Sequence, residues 1–275
     1  NKLFPEFIQL LNYHHNTNHS ERFWQILIGP WFKFILRDLF FYISTLDNCL
    51  STYEISGTAG YDFNEPLCAS DTKGTVEFFN DNSKLNILYL RILNQLKNKN
   101  FPIDLIQLEN KNTLQNFNSK THSSKNNSFY KNISKLGFYL YSKVAKKLIR
   151  DEDAFIINTF LPTEKEAMLE IALGQFPQFW KFKWSQNSNY NLIKKLPDTS
   201  TRENLKKKFL DNSCQSLENI MRHLLFELLP VCYLEGFEDL QKNVRDQYWP
   251  KFPKFIFTSN NFYFDEVFKL YTALN

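Results

Sequence analysis

Apolar residues recur at helical spacing from Leu3 to Asn12. They do so again, after a polar break, from Glu21 to about Leu50, where Ser20 stands in position to cap a second, longer helix. The apolar residues of that second segment run nearly all the way round, which predicts a buried helix. Lys33, Arg37 and Asp38 would lie mid-span and Pro30 interrupts the run, so the segment reads as a core helix and not as a membrane span.

Beyond it, "STYEISG" reads as a short strand and "EPLCASDTKGTVEFF" as a turn-rich connection. A helix follows over Lys84–Lys97, with Leu85, Leu88, Ile92 and Leu96 on one face, and then a strand, "PIDLIQLE". Residues 110–128 are polar and rich in Asn, Ser and Lys, as expected of a surface loop or insertion, and Phe129–Ile149 returns to an amphipathic helical pattern. The run "DAFIINTF" suits a buried strand. "LPTEKEAMLEIALGQFP" continues it as a helix with Pro162 in the first turn and Gly174 and Pro177 at the stop. Helices are predicted at "NLKKKFLDN", at Ser216–Leu229 ahead of Pro230, and at "EGFEDLQKNVRDQYW". "PKFIFTSNNFYFDEVFKLYTA" gives strand, polar turn and helix once more. Strands alternating with helices predict an α/β fold with a parallel sheet covered on both faces.

The totals fit a globular chain: 275 residues, 43% hydrophobic and 17% aromatic, so many rings must pack on one another inside. A net charge of +4, with the basic residues scattered, does not demand nucleic acid. Cys49, Cys68, Cys214 and Cys232 form no C-x-x-C pair and read as reduced core thiols. The chain begins with Asn, and its last helical pattern is still running at the end. It therefore reads as a piece of something longer, with 1–275 as a single α/β domain.

In a parallel sheet, ligands sit at the loops leaving the carboxyl ends of the strands, which here are "SGTAGYD", "LPTE" and "TSNN". Thr258, Ser259 and Asn260 offer donors to a sugar or phosphate, although the same residues are ordinary turn formers. "GTAG" matches no phosphate-binding fingerprint. The densest chemistry lies in "LNYHHNTNHSERFWQILIGPWFKF". His15 and His19 are four apart, but no H-E-x-x-H pattern or nearby carboxylate completes a metal site, so no metal is expected. A neutral His could serve as general base, and the forked donors of Arg22 could hold a phosphate or carboxylate. The competing reading makes the histidines a solvated helix-start turn and pairs Arg22 with an acid. Trp24 and Trp31, seven apart, suit the core. His122 and His223 receive no role.

This stretch resembles the N-terminal signature of a family of transferases of bacterial surface-carbohydrate biosynthesis. Leu11, Asn12, His15, Ser20, Arg22, Trp24, Gly29, Pro30 and Trp31 fall on its positions. "FLPTEKEAMLEIALGQFPQFW" and "LLPVCYLEGFEDL" through "PKFIFTSNNFYFDEVFKLYTA" agree with the same family. The resemblance implies a Rossmann-like parallel sheet flanked by helices, the acceptor-side N-terminal half of a two-domain glycosyltransferase-B-like enzyme. The family's nucleotide-binding C-terminal half, opening with a Gln-His-Gly-Gly run, has no counterpart here. The implied reaction is transfer from a nucleotide-activated sugar donor to a glycan or lipid-linked acceptor, in the cytoplasm or peripheral to the inner membrane. No other cofactor is implied for this segment. His15 or His19 is the implied base, with Arg22 beside it and Asn12, Ser20, Ser259 and Asn260 as binders.

Two alternatives from other classes stay open. One is a non-catalytic carbohydrate-recognition or scaffold module. The other is a nucleic-acid binder using "NLKKKF" with Trp180 and Trp184.

Overall fold

The computed structural model describes residues 2–96, 101–107, 147–178, 195–210 and 217–275. The polar stretch 110–128, nearly all of the helix expected over 129–149, and Trp180, Trp184, His122 and Cys214 lie outside them. The chain divides into two compact units, Asn1–Ser119 with Ile193–Leu240, and Lys120–Leu192 with Gln241–Asn275.

In the first unit, helix α1 (Leu3–His15) buries Leu3, Phe7, Ile8 and Leu11 on one face and carries His14 and His15 in its last turn. It runs three residues past the predicted end because Asn16 closes it in the left-handed region, at φ 52°, which Asn tolerates better than most residues. Ser20 caps α2 (Glu21–Leu27) as expected, its hydroxyl oxygen accepting from the Phe23 N–H at 3.2 Å. The long helix predicted from Glu21 is in fact two, for α3 (Gly29–Thr52) starts afresh after Ile28. Pro30 has no N–H to offer the carbonyl of Ile26, so the helix breaks there and Pro30 occupies the first turn of the next. Nor is α3 buried all round. Trp31, Phe32, Ile35, Leu39 and Ile43 face inward, while Phe40 and Phe41 are 58% and 62% exposed.

The strand expected at "STYEISG" forms later, as β1 (Thr58–Tyr61), so "GTAG" is a strand and not a ligand loop. It pairs in parallel with β2 (Ile103–Ile106), where a strand was expected. Helices α4 (Thr72–Phe78), capped by Asp71, and α5 (Asn82–Gln95), capped by Asp81, connect the two strands. A Cβ on Gly60 would stand 2.9 Å from the Leu90 side chain, so glycine lets α5 lie close against β1. The later helices α7 (Thr199–Phe209) and α8 (Leu217–Leu228) complete this unit's core. Phe7 sits at its centre, with ring centroids 4.7 Å from Phe226, 5.4 Å from Phe32, 5.5 Å from Phe209 and 6.2 Å from Trp31.

The second unit holds two strand-loop-helix segments side by side: β3 (Phe155–Ile156) leading to α6 (Thr163–Ala172), and β4 (Ile256–Phe257) leading to α10 (Glu266–Leu274). Between them in sequence lies α9 (Phe237–Arg245). Strands β3 and β4 pair in parallel, Phe155 opposite Ile256 and Ile156 opposite Phe257. Ala154, Phe155, Ile156 and Ile157 are all buried, as the apolar run predicts. Phe155, Trp249 and Tyr271 meet at centroid distances of 4.9 to 5.0 Å, and the Tyr271 hydroxyl donates to the Pro250 carbonyl. The fold is therefore α/β with small parallel sheets. Among the described residues no helix is long and apolar enough to cross a membrane.

Candidate functional site

The histidine turn is built around Asn12. Its Oδ1 accepts three hydrogen bonds, from the Thr17 hydroxyl at 2.9 Å, the His19 N–H at 3.1 Å and the Trp24 indole Nε1–H at 3.0 Å, while its Nδ2 donates to the His19 carbonyl at 2.9 Å. The Thr17 N–H closes back on the Asn12 carbonyl at 2.9 Å. These bonds fix the path from α1 into α2. They also commit to the frame an amide that the family resemblance assigns to substrate. Ser20 is likewise engaged as the cap of α2.

Segment 231–237, which lies in a second stretch shared with the family resemblance, closes over this turn. The Val231 and Cys232 N–H groups donate to the carbonyls of Ala69 and Ser70, and the Tyr233 hydroxyl lies 2.7 Å from that of Thr72. The Tyr233 carbonyl is thereby presented 3.0 Å from His15 Nε2. A carbonyl only accepts, so Nε2 must carry the proton and Nδ1 the lone pair of the neutral ring. The imidazole stands 4.3 Å from the Phe237 ring and stacks on Trp24 at 6.2 Å. Beneath the segment, Arg202 grips Glu235 through two bonds of 2.6 and 2.7 Å and donates to the Phe226 and Leu229 carbonyls, all but out of reach of water.

Burial lowers the His15 pKa to about 4, against the upward pull of its bond to Tyr233, and His14 and His19 lower it further. His14 and His19 are also lowered, both chiefly by burial. All three therefore favour the neutral form at pH 7. His19 stacks on Phe23 at 3.8 Å, and its Nε2 is buried with no hydrogen-bond partner. Arg22 is exposed on α2, and among the described residues no carboxylate pairs with it. The turn thus offers a neutral imidazole fixed in one tautomer, an exposed guanidinium and an aromatic wall. Among the described residues no three of His, Cys, Asp and Glu are grouped as metal ligands would be.

The depressed His15 pKa has a consequence for stability. As pH falls below about 6.5 the unfolded chain takes up a proton that the folded ring refuses, so stability present above that pH is lost progressively down to about 4. Between pH 7.5 and pH 5, urea denaturation of the wild-type chain is expected to lose about 2 kcal/mol more than that of His15→Gln.

Ser259 and Asn260 belong to the second unit, where the loops after β3 and β4 are tied together. Asn158, held at φ 48° just past β3, donates from Nδ2 to Asn261 Oδ1 at 2.8 Å, and its carbonyl accepts from the Ser259 N–H at 3.4 Å. Ser259 Oγ accepts from the Phe160 N–H at 3.3 Å. Asp265 caps α10 through the Phe268 N–H, and burial holds its carboxyl well above the usual range. Thr159 donates to the buried Glu166 at 3.0 Å. Asn260 and Ser259 themselves stay exposed.

Sequence reasoning passed over Tyr233, Glu235, Arg202, Phe237, Asn158 and Thr159. The stretches carrying the first four lack any local catalytic pattern. In the last case Asn-Thr at the end of an apolar strand was the available signal. Lys206 and Lys208 of "NLKKKF" are engaged within the first unit, Lys206 with Glu203 and Lys208 4.1 Å above the Tyr13 ring.

Compared with protein families, residues 1–275 match the LIC12162 family transferase, and the chain belongs to that family. Among curated proteins and solved structures nothing matches it.

Proposed function

We propose that this transferase moves a sugar or related group from a nucleotide-activated donor to a surface polysaccharide or lipid-linked acceptor. On this reading the chain is the acceptor-side, Rossmann-like half of a glycosyltransferase-B-like enzyme working in the cytoplasm or at the inner membrane. The donor nucleotide would be held by the further domain that the resemblance implies. The observation that carries the proposal is His15, held neutral with Nε2–H tied to the Tyr233 carbonyl and Nδ1 left as the basic atom. An acceptor hydroxyl attacks the anomeric carbon, the bond from that carbon to the donor phosphate breaks with its electron pair leaving on phosphate, and the hydroxyl proton passes to Nδ1. Arg22, exposed on α2, is assigned the negative charge of the donor phosphate.

The commitment of Asn12 and Ser20 to the frame also suits a second reading, a non-catalytic carbohydrate-recognition or scaffold module. Turnover separates the two. Full-length protein incubated with radiolabelled nucleotide sugars and a lipid-linked glycan acceptor is expected to yield labelled product. Binding of glycan with neither transfer nor hydrolysis of any donor would establish the module instead.

A further inference from the structure

The geometry points to the paired loops after β3 and β4 as a binding platform for a neutral glycan, with Phe160, Tyr263 and Phe264 as the stacking rings and Ser259 and Asn260 as the hydrogen-bonding groups. This deepens the carbohydrate reading above and rests on it. Phe160 is 85% exposed, Tyr263 63% and Phe264 55%, an unusual outlay of aromatic surface for two short loops. Their setting makes them more than frayed side chains. The Ser259 hydroxyl holds the Phe160 N–H, and Asn158 bridges to Asn261 while its carbonyl takes the Ser259 N–H, so the loops form one piece. The Tyr263 N–H lies 3.4 Å from the Asn260 carbonyl, which folds the second loop back on itself, and the Tyr263 and Phe264 rings are 6.2 Å apart.

The occupant follows from charge. Residues 158–162 and 258–265 contain no Lys or Arg, and their single acid, Asp265, is buried and spent as a helix cap. Within these two loops themselves a phosphate or nucleotide would meet no cation. A pyranose presents what these loops suit: a face of C–H groups for an aromatic ring and a rim of hydroxyls for amide and hydroxyl partners. The platform also lies at the carboxyl ends of two parallel strands, where backbone geometry of this class gathers ligands.

The test is titration of the full-length protein, followed by ligand-observed NMR, with neutral hexose and N-acetylhexosamine tetrasaccharides and with their phosphorylated counterparts. The expected result is binding of a neutral glycan that weakens about tenfold in Phe160→Ala and again in Tyr263→Ala, with the phosphorylated forms no tighter. Both side chains are exposed, so the variants should keep the wild-type unfolding midpoint. The platform is overturned if both variants bind as wild type does, if the phosphorylated forms bind tighter, or if no neutral tetrasaccharide binds. Transfer activity that survives while the variants leave glycan binding untouched would sink the platform alone. Glycan binding weakened by the variants, in a protein that transfers nothing, would uphold the platform and sink the transferase reading.

Discussion

Asn12→Ala is expected to destabilise the first unit by about 3 kcal/mol or more, measured by urea denaturation at pH 8. Three donors converge on its Oδ1, and two of them are the indole N–H of the fully buried Trp24 and the His19 N–H, both in part-buried bonds. Each orphaned donor costs roughly 1 to 3 kcal/mol, beyond the loss of the bonds themselves. Thr17→Val removes one of the three bonds and leaves the other two, so it should cost about 1 kcal/mol. If Asn12→Ala cost no more than Thr17→Val, the amide would not be the centre of the turn.

Glu235→Ala should be as damaging, by about 3 to 5 kcal/mol, because it strands the buried Arg202 guanidinium. Glu235 Oε1 also accepts from the Asp198 N–H at the start of α7, and Arg202 fastens the end of α8 through the Phe226 and Leu229 carbonyls. Glu235→Gln keeps the shape and one acceptor but not the charge, and an intermediate loss is expected. Segment 231–236 carries the Tyr233 carbonyl. Unfastening it should therefore also free the His15 ring, seen as an imidazole proton resonance that broadens or shifts in either variant.

Much of the framework is legible in the sequence wherever the cause is local. Ser20 announces its cap, the apolar run ahead of Pro162 announces a buried strand, and Gly174, at φ +72°, announces a helix end. The Gly-Pro pair at 29 and 30 was visible too, but the apolar run around it hid the break between α2 and α3. The misplacement of β1 has a non-local cause. What makes "GTAG" a strand is pairing with Ile103–Ile106 and the close approach of Leu90, neither of which the tetrapeptide encodes.

The site divides in the same way. The histidine turn could be singled out as a dense stretch, yet its chemistry depends on a contact between His15 and Tyr233, 218 residues apart, which no spacing rule reaches. Asn12 was visible as a polar residue beside the histidines, but its role as frame comes from three donors meeting in space. The family resemblance supplied both stretches, and the fold supplied the reason they go together.

The most direct test of His15 as the proton acceptor is steady-state kinetics of full-length His15→Gln with a nucleotide-sugar donor that the wild type turns over. Glutamine can still donate to the Tyr233 carbonyl, so the fold and donor KM should be kept, with the unfolding midpoint at pH 8 unchanged. The expected result is a kcat lower by about 10² to 10⁴. A variant that retains wild-type kcat would show that the histidine turn holds the fold together and takes no part in the transfer.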